Sequence, residues 1–203
     1  AFPARLAYGM ISLGIFFKAE QSTDSFAIAG FAIGLNSLAG AVTAGIRGSI
    51  MDRWGQKWPL RILVPGYTIM ILALNQMDTA RSILITAFLL GISAPPINLS
   101  IRLLWKVTVP KEQIRTAYAI DTAVMNSVGV FGPLVATTVS LNYSPQISLR
   151  ICSILILVGG AALSMSPQLK KWKPEKKSSS DLAVWRTPAM QLLMCEGVFI
   201  GLG

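Results

Sequence analysis

Apolar residues gather in seven blocks, at 4–17, 26–47, 59–76, 82–104, 116–140, 147–165 and 188–203, and most charged residues lie between them or at their edges. None of the blocks shows the alternation of an outer-membrane β-strand. A helix needs about 20 mostly apolar residues to cross a bilayer. The five blocks between 26 and 165 are long enough or nearly so. The first is short, which suggests a first helix whose start is missing. The last also stops short of a crossing. The pattern predicts an all-α membrane protein: a six-helix transmembrane bundle over 1–165, a linker at 166–187, and the start of a seventh helix at 188–203.

Composition supports that reading. Hydrophobic residues make up 53% of the 203 and charged residues 13%, whereas a soluble domain carries roughly 25% charge. The mean hydropathy is +0.58. A net charge of +9 would suit nucleic acid only if the cations formed a patch on a polar surface. Here they sit between apolar blocks, so no nucleic-acid partner is expected. The chain has no histidine, which removes imidazole relays and histidine metal ligands. Cys152 and Cys195 both fall inside apolar blocks and read as small buried hydrophobes.

The positive charges are placed asymmetrically. Fifteen of the 18 Lys and Arg residues fall on one set of connections: Arg5, four between Arg47 and Arg61, four between Arg102 and Arg115, and six between Lys170 and Arg186. Lys18, Arg81 and Arg150 fall on the other. The positive-inside rule then puts the N-terminus in the cytoplasm. The linker, with Lys170-Lys171-Trp172-Lys173 and Ser178-Ser179-Ser180, is cytoplasmic by the same rule. Its charges either draw anionic lipid or simply set orientation.

The connection after the second block reads Gly48-Ser49-Ile50-Met51-Asp52-Arg53-Trp54-Gly55-Gln56-Lys57. Its pattern G-x-x-x-D-R-x-G-x-K, between a second and a third span, resembles the loop signature of the major facilitator superfamily of secondary transporters. The resemblance covers nearly the whole chain, and implies the N-terminal half of a 12-helix fold whose C-terminal half is missing. It also implies that Asp52, Arg53 and Lys57 form a cytoplasmic gating latch, with Gly48 and Gly55 shaping the turn. A second family signature would put an arginine at Ala87, four residues before Gly91. Its absence argues against proton-driven exchange by the usual route. Gly132-Pro133, with Gly129 upstream, partly resembles the antiporter signature of the fifth helix and predicts a kink there. The runs around Arg115–Asp121 and Pro95-Pro96, Arg102 and Trp105 are similar to actinobacterial facilitators described as efflux permeases.

Pro95 and Pro96 predict a kinked fourth helix, with Asn98 beside it as a cavity-lining candidate. Ionisable residues within a span are functional candidates by default. Asp121 is one, and Arg102 or Arg115 is its expected partner. Glu196, in the last block, is the other and the better candidate for binding a proton or a cationic substrate. Asn36, Asn75 and Asn126 either line a cavity or tie helices together. Gly30, Gly34, Gly40 and Gly45 form a small-residue series on the second helix, suited to close helix packing.

No hydrolase elbow, P-loop, dinucleotide fingerprint or metal-ligand cluster occurs, so neither an enzyme nor a cofactor or metal site is expected. The expected function is secondary active transport in a bacterial inner (plasma) membrane: efflux of a small organic molecule by alternating access, coupled to a proton or another ion. Two alternatives stay open. One is a non-transporting membrane assembly module, the other a permease subunit served by a separate ATPase.

Overall fold

A computed structural model describes residues 2–167 and Leu192. The basic linker from 168 onward, Trp172, Cys195 and Glu196 lie outside the described residues. Seven α-helices make up the described chain: α1 (Phe2–Thr23), α2 (Phe26–Trp54), α3 (Lys57–Asn75), α4 (Ala80–Ser93), α5 (Ile97–Thr108), α6 (Ile114–Asn142) and α7 (Pro145–Met165). A single 3₁₀ turn, Lys111–Gln113, precedes α6, and no strand occurs among the described residues. Residues 2–167 belong to one compact unit, Ala1–Lys173.

Five stretches are long and apolar enough to cross a membrane: α2, α3, α4 with α5, α6 and α7. With α1 they give the six predicted spans. α1 runs for 22 residues, about 33 Å at 1.5 Å per residue, longer than its apolar block. The apolar pattern ended at 17 because Lys18 and Glu20 interrupt it. The helix continues past them, with Lys18 buried and its Nζ 2.8 Å from Asp78 Oδ1.

Local signals set the helix ends. Ser25, Thr79 and Ser144 each accept the backbone N–H three residues on, which starts α2, α4 and α7. Such a cap satisfies a donor the first helical turn leaves free. Pro145 adds a preset φ at the first position of α7. Asp24, at φ 51°, makes the tight corner between α1 and α2.

α1 occupies the middle of the bundle, touching α2, α6 and α7 along its length and α4 and α5 at points. α4 lies between α2 and α3, and α3 packs on α7. The core holds Met10, Ile15, Leu60, Ile71, Leu90 and Leu149 with several alanines. α2 and α6 are the most exposed spans, 17% and 22% buried against 44% for α3 and 50% for α7. Their bare faces are apolar, with Phe31, Leu38, Val42 and Ile46 on α2 and Val130, Phe131 and Leu134 on α6. Lipid tails or another helix bundle can cover such a surface without loss, since neither needs hydrogen bonds from it.

Candidate functional site

The amphipathic helix α5 carries Asn98, Arg102, Trp105 and Lys106. Steps of three and four residues put Asn98, Arg102 and Trp105 on one face of a helix. That face meets α1 and the first turns of α6. There Arg5 Nη2 lies 2.6 Å from Asp121 Oδ1, and Trp105 Nε1 donates to the same oxygen at 3.1 Å. Arg102 Nε stands 3.5 Å from Asp121 Oδ2. Arg5 Nε donates to Asn98 Oδ1 at 3.2 Å, which holds the guanidinium plane. One carboxylate thus ties three helices together.

Burial makes this arrangement strong. The side chains of Arg5 and Asp121 are 5% and 1% exposed, while that of Arg102 is 60% exposed. A buried charge costs several kcal/mol to desolvate, and breaking a buried pair costs about 3–5 kcal/mol. Asp121 Oδ1 is fully engaged, whereas Oδ2 has no hydrogen bond and only the longer Arg102 contact. Asp121 also lines a cavity of about 470 Å³, together with Leu99, Arg102, Leu103, Lys106, Tyr118 and Thr122.

Asp121 was expected to pair with Arg102 or Arg115. Arg102 is confirmed, but the short partner is Arg5, and Arg115 is exposed and forms no ion pair with it. Arg5 counts among the terminal positive charges in the sequence, and nothing in its neighbourhood signals a residue 116 positions away. Asn98, expected to line a cavity, accepts from Arg5 beside the cluster and is not among the residues lining the cavity.

Next to the cluster the fourth span is broken rather than kinked. α4 ends at Ser93 and α5 begins at Ile97. In an unbroken helix the N–H groups of residues 95 and 96 would bond to the carbonyls of residues 91 and 92. Pro95 and Pro96 have no N–H. Arg47 supplies the missing donors: its Nη1 lies 2.8 Å from Gly91 O and 3.2 Å from Ile92 O. Its Nη2 donates back to Gly40 O at 2.6 Å. The Tyr8 hydroxyl donates to Pro95 O at 2.6 Å and its ring stacks on Tyr67 at 5.7 Å. A cation at a helix C-terminus also suits the helix dipole. Arg47 is therefore a helix residue with a structural partner set, not one of the connection charges among which its position placed it.

The α2–α4 contact follows the same face of α2. Asn36 Nδ2 donates to Ala87 O at 3.0 Å, so Asn36 ties helices and Ala87 contributes its backbone. A side chain at Gly91 would collide with the backbone of Asn36. Gly40 faces Gly91 O, whereas Gly30, Gly34 and Gly45 meet nothing within 4 Å. Only Gly40 of that series packs within the described bundle. On the other side of α1, a side chain at Gly132 would stand 2.6 Å from Gly9 Cα, so α1 and α6 meet backbone to backbone. Gly129 faces open space, and α6 runs through Pro133 without interruption. Of the trio Gly129, Gly132 and Pro133, Gly132 makes the close backbone contact. Asn126 is exposed on α6. Asn75 is buried at the end of α3, and its Oδ1 has no hydrogen-bond partner.

The expected gating loop is mostly helix. α2 continues through Gly48, Asp52 and Arg53 to Trp54, and Lys57 opens α3. The apolar pattern stopped at 47 because polar residues follow, but helical hydrogen bonding does not need apolar side chains. Gly55 makes the turn, at φ 75°, where glycine alone is unstrained. Gly48 is helical and its Cβ position is open, so it does not shape the turn. Asp52 and Arg53 are exposed and form no ion pair among the described residues. Trp54 and Trp58 stand out on either side, 71% and 62% exposed, with the Arg61 guanidinium over Trp58. Aromatic rings placed this way suit a membrane–water interface.

The model of the Major Facilitator Superfamily matches residues 1–202. The chain belongs to the Major Facilitator Superfamily. No curated protein matches it, and no solved structure does. As a facilitator it is an integral membrane protein of a transporter family, and its helices agree with the family's N-terminal half. Among the described residues no group of acids and cysteines could hold a metal ion. The chemistry that the described residues place inside the spans is ionic: one buried carboxylate, the arginines on it, and a cavity at their side.

Proposed function

We propose that this facilitator is a secondary active transporter that exports a small organic molecule by alternating access. It works in a bacterial inner membrane, with the basic helix ends in the cytoplasm. The observation that carries the reading is the Arg5–Asp121–Arg102 cluster beside a cavity. An ionisable group inside a span is costly and is usually retained for substrate or ion movement. Here it stands at a broken helix, where half-helices create polar backbone in transporters. A second six-helix bundle would close the site by packing on the bare faces of α2 and α6. Asp52, Arg53 and Lys57 would serve as its cytoplasmic latch, and Glu196 would carry a coupling proton or cation.

The test is flux. The protein expressed from its complete reading frame goes into proteoliposomes and into cells lacking their main drug exporters, with a panel of labelled organic solutes. Transport without ATP, lost in Asp121→Asn, is the expected result. Flux that requires an added ATPase would favour a permease subunit. No flux of any solute in either direction would favour a membrane assembly module.

A further inference from the structure

The cavity between α5 and α6 is not neutral. Arg102 and Lys106, one helical turn apart, both line it, as do Tyr118 and Thr122. These side chains supply N–H and O–H donors, and among the described residues of the wall Asp121 is the only acid. That carboxylate is already held by Arg5 and Trp105. Counting Arg5, Arg102 and Lys106 against Asp121 leaves the site with an excess of two positive charges. Leu99 and Leu103 add an apolar wall on the same side.

Arg102 sharpens the argument. It lies six residues before the end of α5, about 9 Å along the helix at 1.5 Å per residue. Its side chain is nonetheless 60% exposed. A guanidinium facing hydrocarbon at that depth is expensive, so its open side must meet water, a charge or a ligand. Its hold on Asp121 is the loosest in the cluster, 3.5 Å with no hydrogen bond to Oδ2. Its remaining N–H groups are free to fork onto a second oxyanion.

We propose that this cavity binds an amphipathic organic anion, a carboxylate or phosphate on an apolar body. Arg102 and Lys106 take the anionic group, and Leu99 and Leu103 take the apolar part. The cavity volume of about 470 Å³ falls in the range of small-molecule sites, roughly 300–1,000 Å³. The proposal names the substrate class of the transporter reading and rests on that reading for its role in flux. The same headgroup chemistry could come from a soluble solute or an anionic lipid.

Binding is measured without flux, on the protein from its complete reading frame in phosphatidylcholine nanodiscs. Octanoate and octyl phosphate are titrated by calorimetry, with octylamine as the cationic match. Both anions should bind saturably and octylamine should not. Arg102→Gln combined with Lys106→Gln should weaken octyl phosphate about tenfold or more, the loss of at least one charge-assisted bond. Arg102→Lys should keep most of the affinity, and Arg81→Gln, at the opposite end, should change nothing. A repeat in phosphatidylglycerol nanodiscs separates the sources. Competition there, with that lipid retained through purification, assigns the site to lipid; unchanged affinity assigns it to a solute. The proposal is overturned if neither anion binds, if octylamine binds more tightly, or if the double glutamine variant binds as well as the wild type. Binding without flux would remove the transporter reading and leave the site. Flux of solutes without anion binding would do the reverse.

Discussion

Arg47 offers the sharpest test of how the fourth span is held together. Its guanidinium replaces the two backbone donors that Pro95 and Pro96 cannot supply, bonding Gly91 O and Ile92 O at 2.8 and 3.2 Å. Arg47→Gln shortens the side chain and removes the fork. Gly91 O keeps a 3.4 Å contact from the Ala94 N–H, but Ile92 O loses its described donor. Polar contacts between membrane helices are worth about 0.6–2 kcal/mol each, and charge-assisted ones about 1.5–3 kcal/mol. The substitution should therefore cost about 2–4 kcal/mol, read by unfolding in mixed detergent micelles. The control is a double-mutant cycle with Pro95→Ala and Pro96→Ala, which return N–H donors to positions 95 and 96. In that background Arg47→Gln should cost less by about 1–2 kcal/mol, the coupling expected of groups sharing one network. An equal cost in both backgrounds would refute the idea that Arg47 serves the proline break.

Asp121→Ala should destabilise the bundle by about 3–5 kcal/mol, because it strands the buried Arg5 charge; the paired change Arg5→Met with Asp121→Leu should recover most of that loss in the same unfolding assay. Gly132→Ala forces a methyl into the Gly9 backbone and should cost about 1–3 kcal/mol, whereas Gly129→Ala, in open space, should be neutral; equal thermal stability of the two would count against the α1–α6 contact. Gly55→Ala, at φ 75° and ψ 171°, should lower stability by about 1–3 kcal/mol through backbone strain, measurable as a drop in melting temperature.

What the sequence made legible follows from the bilayer. Six spans are visible because a crossing demands a long apolar run, and the apolar blocks contain no other reading. Asp121 stands out because a charge in such a run is conspicuous, and Arg102 is within reach on a neighbouring block. Arg5 and Arg47 are illegible for the opposite reason. Each sits where a terminal or connecting positive charge is ordinary, so topology explains them and hides their contacts. The pairing of Arg47 with the proline break depends on the α2–α4 crossing, a tertiary fact. A weak signal existed: Asn36, Gly40 and Arg47 fall at helical spacing on one face, and all three meet α4. The helical run through 48–54 was missed because apolar pattern marks membrane depth, not helix ends.

The proline break also constrains the order in which the protein can be made. The fourth span cannot satisfy its own backbone, and the guanidinium that completes it resides on the second. Chains are synthesised and begin to fold from the N-terminus, so α2 is in place before Pro95 and Pro96 emerge. The donor is present before the carbonyls need it. A chain in which α4 and α5 came before α2 would present Ile92 O before its Arg47 donor was made. The sequence order of these helices thus brings the donor into place before its acceptors.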